Sequence, residues 1–190
     1  MRIIKDKDPI FETDKYDVVL IGTSIYNMLV NGFQGKMGNK YPYIVEENDK
    51  QPYADSRRLG TRLTFERNGL PTISLLYICR CPQKGLKSLD YPSLERCLET
   101  AALEFKNKRI ITTILGGTVF DGEGDKNRIL GMMEKAFEGL DVDVYDYTQT
   151  VLNEEMLIKK KELTELGVTD RQKRLEILKQ LYLIPTDGKK

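Results

Sequence analysis

Histidine and tryptophan are both absent from the 190 residues. The first absence removes every His-based general base, every Ser-His-Asp or Cys-His arrangement and most zinc catalysis. Cysteine is scarce, and Cys79, Cys81 and Cys97 form no zinc pattern because the first two are separated by one residue and no second pair exists. An odd count in a chain whose first residues lack a signal-peptide hydrophobic stretch fits a reducing compartment, so the cytoplasm is expected, with buried free thiols. No window approaches about 18 consecutive apolar residues, which excludes a spanning helix. Neither sign of charge dominates: 30 Lys plus Arg face 29 Asp plus Glu, a net charge of +1. No global field therefore recruits nucleic acid or an anionic membrane. Lysines 159–161 are a short run of the kind found on a solvated helix face.

The hydrophobic fraction of 40% and charged fraction of 31% are those of a globular chain. The length fits one domain of about 150 residues with an extension. Arg2 to Lys5 reads as a short first strand. Tyr16 to Ile21 is a continuous apolar run, as in a strand buried on both faces. Thr23 or Ser24 is placed to cap a helix carrying Ile25, Met28 and Leu29, which weakens through glycines 32, 35 and 38 and stops at Tyr41-Pro42. Residues 46–58 are charged and turn-rich. Leu59 to Phe65 alternates as a half-exposed strand, Asn68-Gly69 signals a hairpin turn, and Ile73 to Cys79 returns. Asp90-Tyr91-Pro92 opens a helix with Leu94, Cys97, Leu98, Ala101 and Phe105 on its apolar face. Arg109 to Leu115 is a buried strand, Asp125 caps a helix, and Val142 to Tyr147 is the last strand. Strands alternating with helices predict an α/β sandwich with a mixed sheet over residues 1–147.

From Thr148 the character changes. Residues 150–166 read as a helix ending at Gly167, and Thr169 caps another before Pro185. Residues 148–190 are thus expected to form a C-terminal helical extension. It is either a packing layer on the same core or an arm for a protein partner or for self-association.

The strand order, the helix beginning DYPSLERCLETAALEF, the strand RIITTIL with its glycine loop and the final VDVYDY together resemble a macro domain. The likeness is strongest to the phosphatase-like branch that processes ADP-ribose derivatives, and it covers residues 16–147. Gly32-Phe33 through Lys40-Tyr41-Pro42 looks like that family's first helix. The resemblance implies an α/β/α sandwich with ligand lying across the C-terminal ends of the central strands, held by two glycine-rich loops. It implies that Gly116, Gly122 and Gly124 shape an anion nest, that Phe120 flanks a ribose, that Tyr147 ends the last strand near an adenine, and that Gly22 and Gly117 join them as ligand-binding residues. Asp121, Glu123 and Asp125 would repel a diphosphate there unless turned away or bridged by a metal. The first loop departs from the family: Gly22 stands where an Asn ends the strand, and Met28, Leu29 and Val30 occupy a glycine stretch. Leu29 or Val30 lying beside Gly116 would mark a filled cleft. Asn27 is either a shifted polar group or helix surface, and Asp8 is either a mimic of the acidic residue that reads adenine or a solvated loop carboxylate.

Two functions follow. In one, the chain is a non-catalytic structural or interaction subunit of a larger assembly, such as a connector or ring of a bacteriophage particle. In the other, it binds ADP-ribose or a related nucleotide, with phosphatase or hydrolase activity as an extension. No cofactor, metal or catalytic residue is assigned. Cys79 or Cys81 beside Arg80 is the remaining nucleophile candidate.

Overall fold

A computed structural model describes residues 1–5, 7–29, 32–81, 87–118 and 121–146. The helical extension expected over 148–190 lies outside them, as do Phe120, Tyr147 and Val30. Among the described residues six strands form one sheet: β1 (Arg2–Lys5), β2 (Val18–Ser24), β3 (Arg62–Phe65), β4 (Thr72–Cys79), β5 (Ile110–Thr113) and β6 (Val142–Asp146). Their order is β1-β6-β5-β2-β4-β3. β2 runs parallel to both β4 and β5, β6 pairs in parallel with β5 and β1, and only β3 is antiparallel to its neighbour β4. The mixed α/β sandwich expected from the sequence is the fold observed.

Every residue of β2 is buried, as its unbroken apolar run requires. Its side chains divide between two cores. Val18 and Leu20 face helices α3 (Tyr91–Glu104) and α4 (Lys126–Ala136), where Leu94, Leu98, Ile129 and Met133 pack. Val19 and Ile21 face α1 (Gly32–Lys40) and α2 (Pro42–Asp49), against Phe33, Met37 and Ile44. Asp90 caps α3 by accepting from Ser93 N at 3.2 Å, and Asp125 caps α4 by accepting from Arg128 N at 2.8 Å, each satisfying an otherwise orphaned N–H.

Two expectations are corrected. No helix starts at Thr23 or Ser24: β2 continues through both, paired with Tyr77 and Cys79 of β4. The left-handed Asn27 (φ +56°) then breaks any helical path, and α1 opens only at Gly32. Second, the charged stretch after Tyr41 is helical through Asp49, because Pro42 sits in the first turn, where its missing N–H costs nothing. Among the described residues no helix is long and apolar enough to cross a membrane.

Candidate functional site

After β2 the chain crosses to the α1–α2 face, whereas after β5 it crosses to the α3–α4 face. These two strands are neighbours and parallel. Chains that leave adjacent parallel strands toward opposite faces open a crevice at the strands' C-terminal ends, the usual place for a ligand in an α/β sheet. The segments leaving β2 and β5 are its walls.

The wall after β2 is held from behind by Arg58. This arginine is buried, stacks 4.0 Å over the Tyr77 ring, and donates to the carbonyls of Ile25 at 3.1 Å and Pro52 at 2.7 Å. It also donates to Asn27 Oδ1. Asn27 returns its amide to the Gln51 carbonyl at 2.9 Å, and Ala54 N donates to Ile25 O at 2.9 Å. Asn27 is therefore a strained connector and not helix surface. Leu29 is buried within the α1 core among Phe33, Met37 and Tyr41, and its backbone lies against Gly38. It packs beneath α1, while Met28 points to solvent.

The wall after β5 turns around two residues. Leu89 is gripped by glycines: a Cβ on Gly116 would stand 2.5 Å from Leu89 Cδ1, one on Gly124 2.4 Å from Cδ2, and one on Gly122 2.7 Å from the Leu89 backbone. Gly122 O accepts from both Ser88 N and Leu89 N, and Gly124 N donates to Gly116 O at 2.8 Å. Asp121 lies buried under the turn. Gly116 N donates to its Oδ2 at 2.8 Å, and Thr118 N and Oγ1 each donate to its Oδ1 at 2.7 Å. Burial outweighs these bonds and pushes its carboxyl up to about 6.

The acidic run is thus largely turned away from the crevice: Asp121 points inward and Asp125 caps α4. Gly22, Gly116, Gly117 and Gly122 come together around the β2 and β5 ends. A Cβ on Gly22 would lie 3.2 Å from Asp121 Oδ2, and one on Gly117 3.0 Å from Ile114 Cγ2. Asp8 is not a solvated carboxylate. It caps the turn Pro9–Phe11 by accepting from Ile10 N at 3.1 Å and pairs with the buried ammonium of Lys36. Burial raises the Cys79 pKa, which disfavours the thiolate, and Arg80 is turned to Asp90 at 2.8 Å. Sequence reasoning missed Leu89, Arg58 and the inward role of Asp121. Only Thr118-x-x-Asp121, a spacing suited to side chain-to-backbone bonding, carried any signal of it.

A concavity of about 420 Å³ lies between α3 and α4, lined by Leu98, Ala102, Met132, Glu95, Glu99 and Lys135. Two carboxylates against one ammonium make it a poor seat for an anion.

No family model and no curated protein matches the sequence. Solved structures do. The chain is similar to a Bacteroides thetaiotaomicron protein of unknown function at 15% identity and a TM-score of 0.63, over 77% of this chain and 99% of that one. It is similar to the macrodomain of Mycobacterium tuberculosis DarG at 15% identity and a TM-score of 0.61, again over 77% and 99%. A third is Thermosipho africanus DarTG in complex with ADP-ribose, at 13% identity and a TM-score of 0.59, over 75% of this chain and 41% of that one.

Proposed function

We propose, on the premise that the chain has a macrodomain fold, that it binds ADP-ribose or a closely related nucleotide diphosphate in the crevice at the C-terminal ends of β2 and β5. The observation that carries this reading is the switch point itself: adjacent parallel strands whose continuations part to opposite faces. The inward packing of Leu29 supports it, because that side chain lies under α1 and away from the Gly116 turn. The inward turn of Asp121 supports it too, since this carboxylate does not face a ligand across the crevice. Solved neighbours of the same fold hold ADP-ribose. Gly22, Gly116, Gly117 and Gly122 are the described residues we assign to the crevice walls, with Phe120 and Tyr147 proposed as ring contacts on the family resemblance.

The test is calorimetric titration with ADP-ribose, paired with hydrogen exchange to locate the contact. Micromolar binding with slowed exchange over residues 25–29 and 114–118 is expected. No heat up to millimolar ligand, or protection confined to the α3–α4 groove, overturns the reading. A structural or virion role draws no support from the neighbours. Self-association through residues 148–190 stays a separate proposal, for which light scattering of the full chain over a concentration series is the measurement.

A further inference from the structure

Two tyrosines stand together beyond the C-terminal end of β2. The rings of Tyr26 and Tyr53 meet edge to face with their centroids 5.3 Å apart, and Tyr53 is 69% exposed. A single exposed aromatic is ordinary. What sets this pair apart is how its backbone is held. The residue after each tyrosine is left-handed without being glycine: Asn27 at φ +56° and Ala54 at φ +54°. A residue with a Cβ disfavours that conformation and keeps it only where its surroundings impose it. The carbonyl before each tyrosine, of Ile25 and of Pro52, accepts from the same Nη1 of buried Arg58, at 3.1 and 2.7 Å. Ala54 N donates to Ile25 O at 2.9 Å and ties the two segments directly. One buried guanidinium and two strained residues thus fix a ring pair of which one member lies mostly in water. Burial of Tyr53 does not account for that arrangement; presentation of its ring does.

The position of the pair adds to this. Ile25 N donates to Cys79 O at 3.2 Å, which puts the segment at the ends of β2 and β4. From β6 through β5 and β2 to β4 the sheet covers three strand spacings, about 14 Å. Next in the chain, the Arg57 guanidinium is paired with Asp55 at 2.6 Å, so no unbalanced charge stands there. A rigidly held tyrosine face stacks on a planar ring and attracts a positive one, with little ordering left to do on binding. ADP-ribose ends in a sugar, which has no such face to offer.

We propose that Tyr26 and Tyr53 form a ring-stacking subsite at the β2–β4 end of the crevice, and that the ligand is a dinucleotide, a diphosphate with a ring-bearing riboside on each side. The diphosphate rests on the ADP-ribose reading; the platform does not. One riboside then lies toward β6, and the other lays its ring on Tyr53.

The probe is NAD+, which differs from ADP-ribose by a planar, positively charged ring on the distal ribose. Calorimetry of the full chain should show NAD+ binding about fivefold tighter than ADP-ribose or more, the size expected for one ring stacked on an aromatic side chain. In Y53A the ratio of the two affinities should fall to about twofold or less, and in Y53F, which keeps the ring, it should stand. Because Tyr53 is exposed, both variants should melt with the unsubstituted protein. Equal affinities in the unsubstituted protein, or a preference for NAD+ that survives Y53A, overturn the subsite. Binding of neither ligand overturns the ADP-ribose reading instead, and nicotinamide mononucleotide then tests the platform alone. Shifts of the Tyr26 and Tyr53 ring resonances on its addition support the platform, and their absence up to millimolar concentration overturns it.

Discussion

Among the described residues no cation bonds Asp121, and a carboxylate buried in this way makes stability depend on pH in a direction opposite to that of a salt-bridged Asp. The Asp121 carboxyl is raised from 3.8 to about 6 in the folded chain, chiefly by burial. The folded state thus binds more protons than the unfolded chain between about pH 4 and 6, and stability falls as pH rises through that window. A shift of this size corresponds to about 3 kcal/mol, fully present below pH 4 and lost above pH 6. Urea unfolding at a series of pH values should show this decline in the unsubstituted protein and not in D121N; parallel profiles would remove Asp121 as its source. The neighbouring glycines lead to a second expectation. Gly116→Ala meets both a left-handed backbone and Leu89 at 2.5 Å, and should cost about 2–4 kcal/mol. Combined with Leu89→Ala the loss should be less than the sum, because the second change removes the obstacle. Strict additivity in denaturant melts would refute the clasp. The family resemblance implied a phosphate cradle, and glycines look alike from either side. Which side of the backbone the missing Cβ would have filled is a fact of tertiary packing, and here it is Leu89.

Arg58 does at the level of an element what Asp121 does at the level of a turn. It fixes the segment after β2 to the turn Ser56–Arg58 through the carbonyls of Ile25 and Pro52, with Asn48 Oδ1 at 3.3 Å and the Tyr77 ring as its floor. Replacing Arg58 by Ala leaves buried acceptors without donors, for an expected loss of about 3 kcal/mol. Hydrogen exchange should quicken at Tyr26–Met28 while α3 keeps its protection; uniform quickening would mean Arg58 serves the whole core. Elements with one strong period were legible. The hairpin at Asn68-Gly69, the Asp90-capped α3 and the Asp125-capped α4 lie where turn chemistry and apolar spacing put them. The segment after β2 was not, because Ile25, Met28 and Leu29 fit a helical spacing over too few residues to outweigh a strand. Pairing of Thr23 and Ser24 with β4 takes the chain past the expected cap, a long-range effect invisible locally. The helix α2 escaped notice for the opposite reason: only Ile44 and Asn48 of its eight residues are buried, so it has almost no apolar stripe.

Across the whole molecule the strand order decides what belongs to the site. Edge strand β1 at the start of the chain is completed by β6 at residues 142–146, with Arg2 bonded to Asp143 at 2.6 Å and to Asp141 at 2.8 Å. Burial raises the Asp143 carboxyl's pKa, but the Arg2 and Tyr16 bonds outweigh it and leave the group below the usual range. Among the described residues, the strands that border the β2–β5 crevice, and the outer strands that cover those, therefore all lie before residue 147. If the crevice is the ligand site, residues 148–190 are dispensable for it. A chain ended after Tyr147 should then bind ADP-ribose within about twofold of the full chain, a difference of roughly 0.4 kcal/mol. It should also show the pH profile assigned to Asp121, since every donor to that carboxylate is retained. Calorimetry on the two chains, with light scattering on both, checks this. Loss of binding from a shortened chain that still melts cooperatively would show that residues 148–190 contribute to the site, and the crevice described here would be only part of it. Retained binding with loss of a concentration-dependent oligomer would instead divide the molecule by task, with ligand held by the sheet and self-association carried by the residues that follow it.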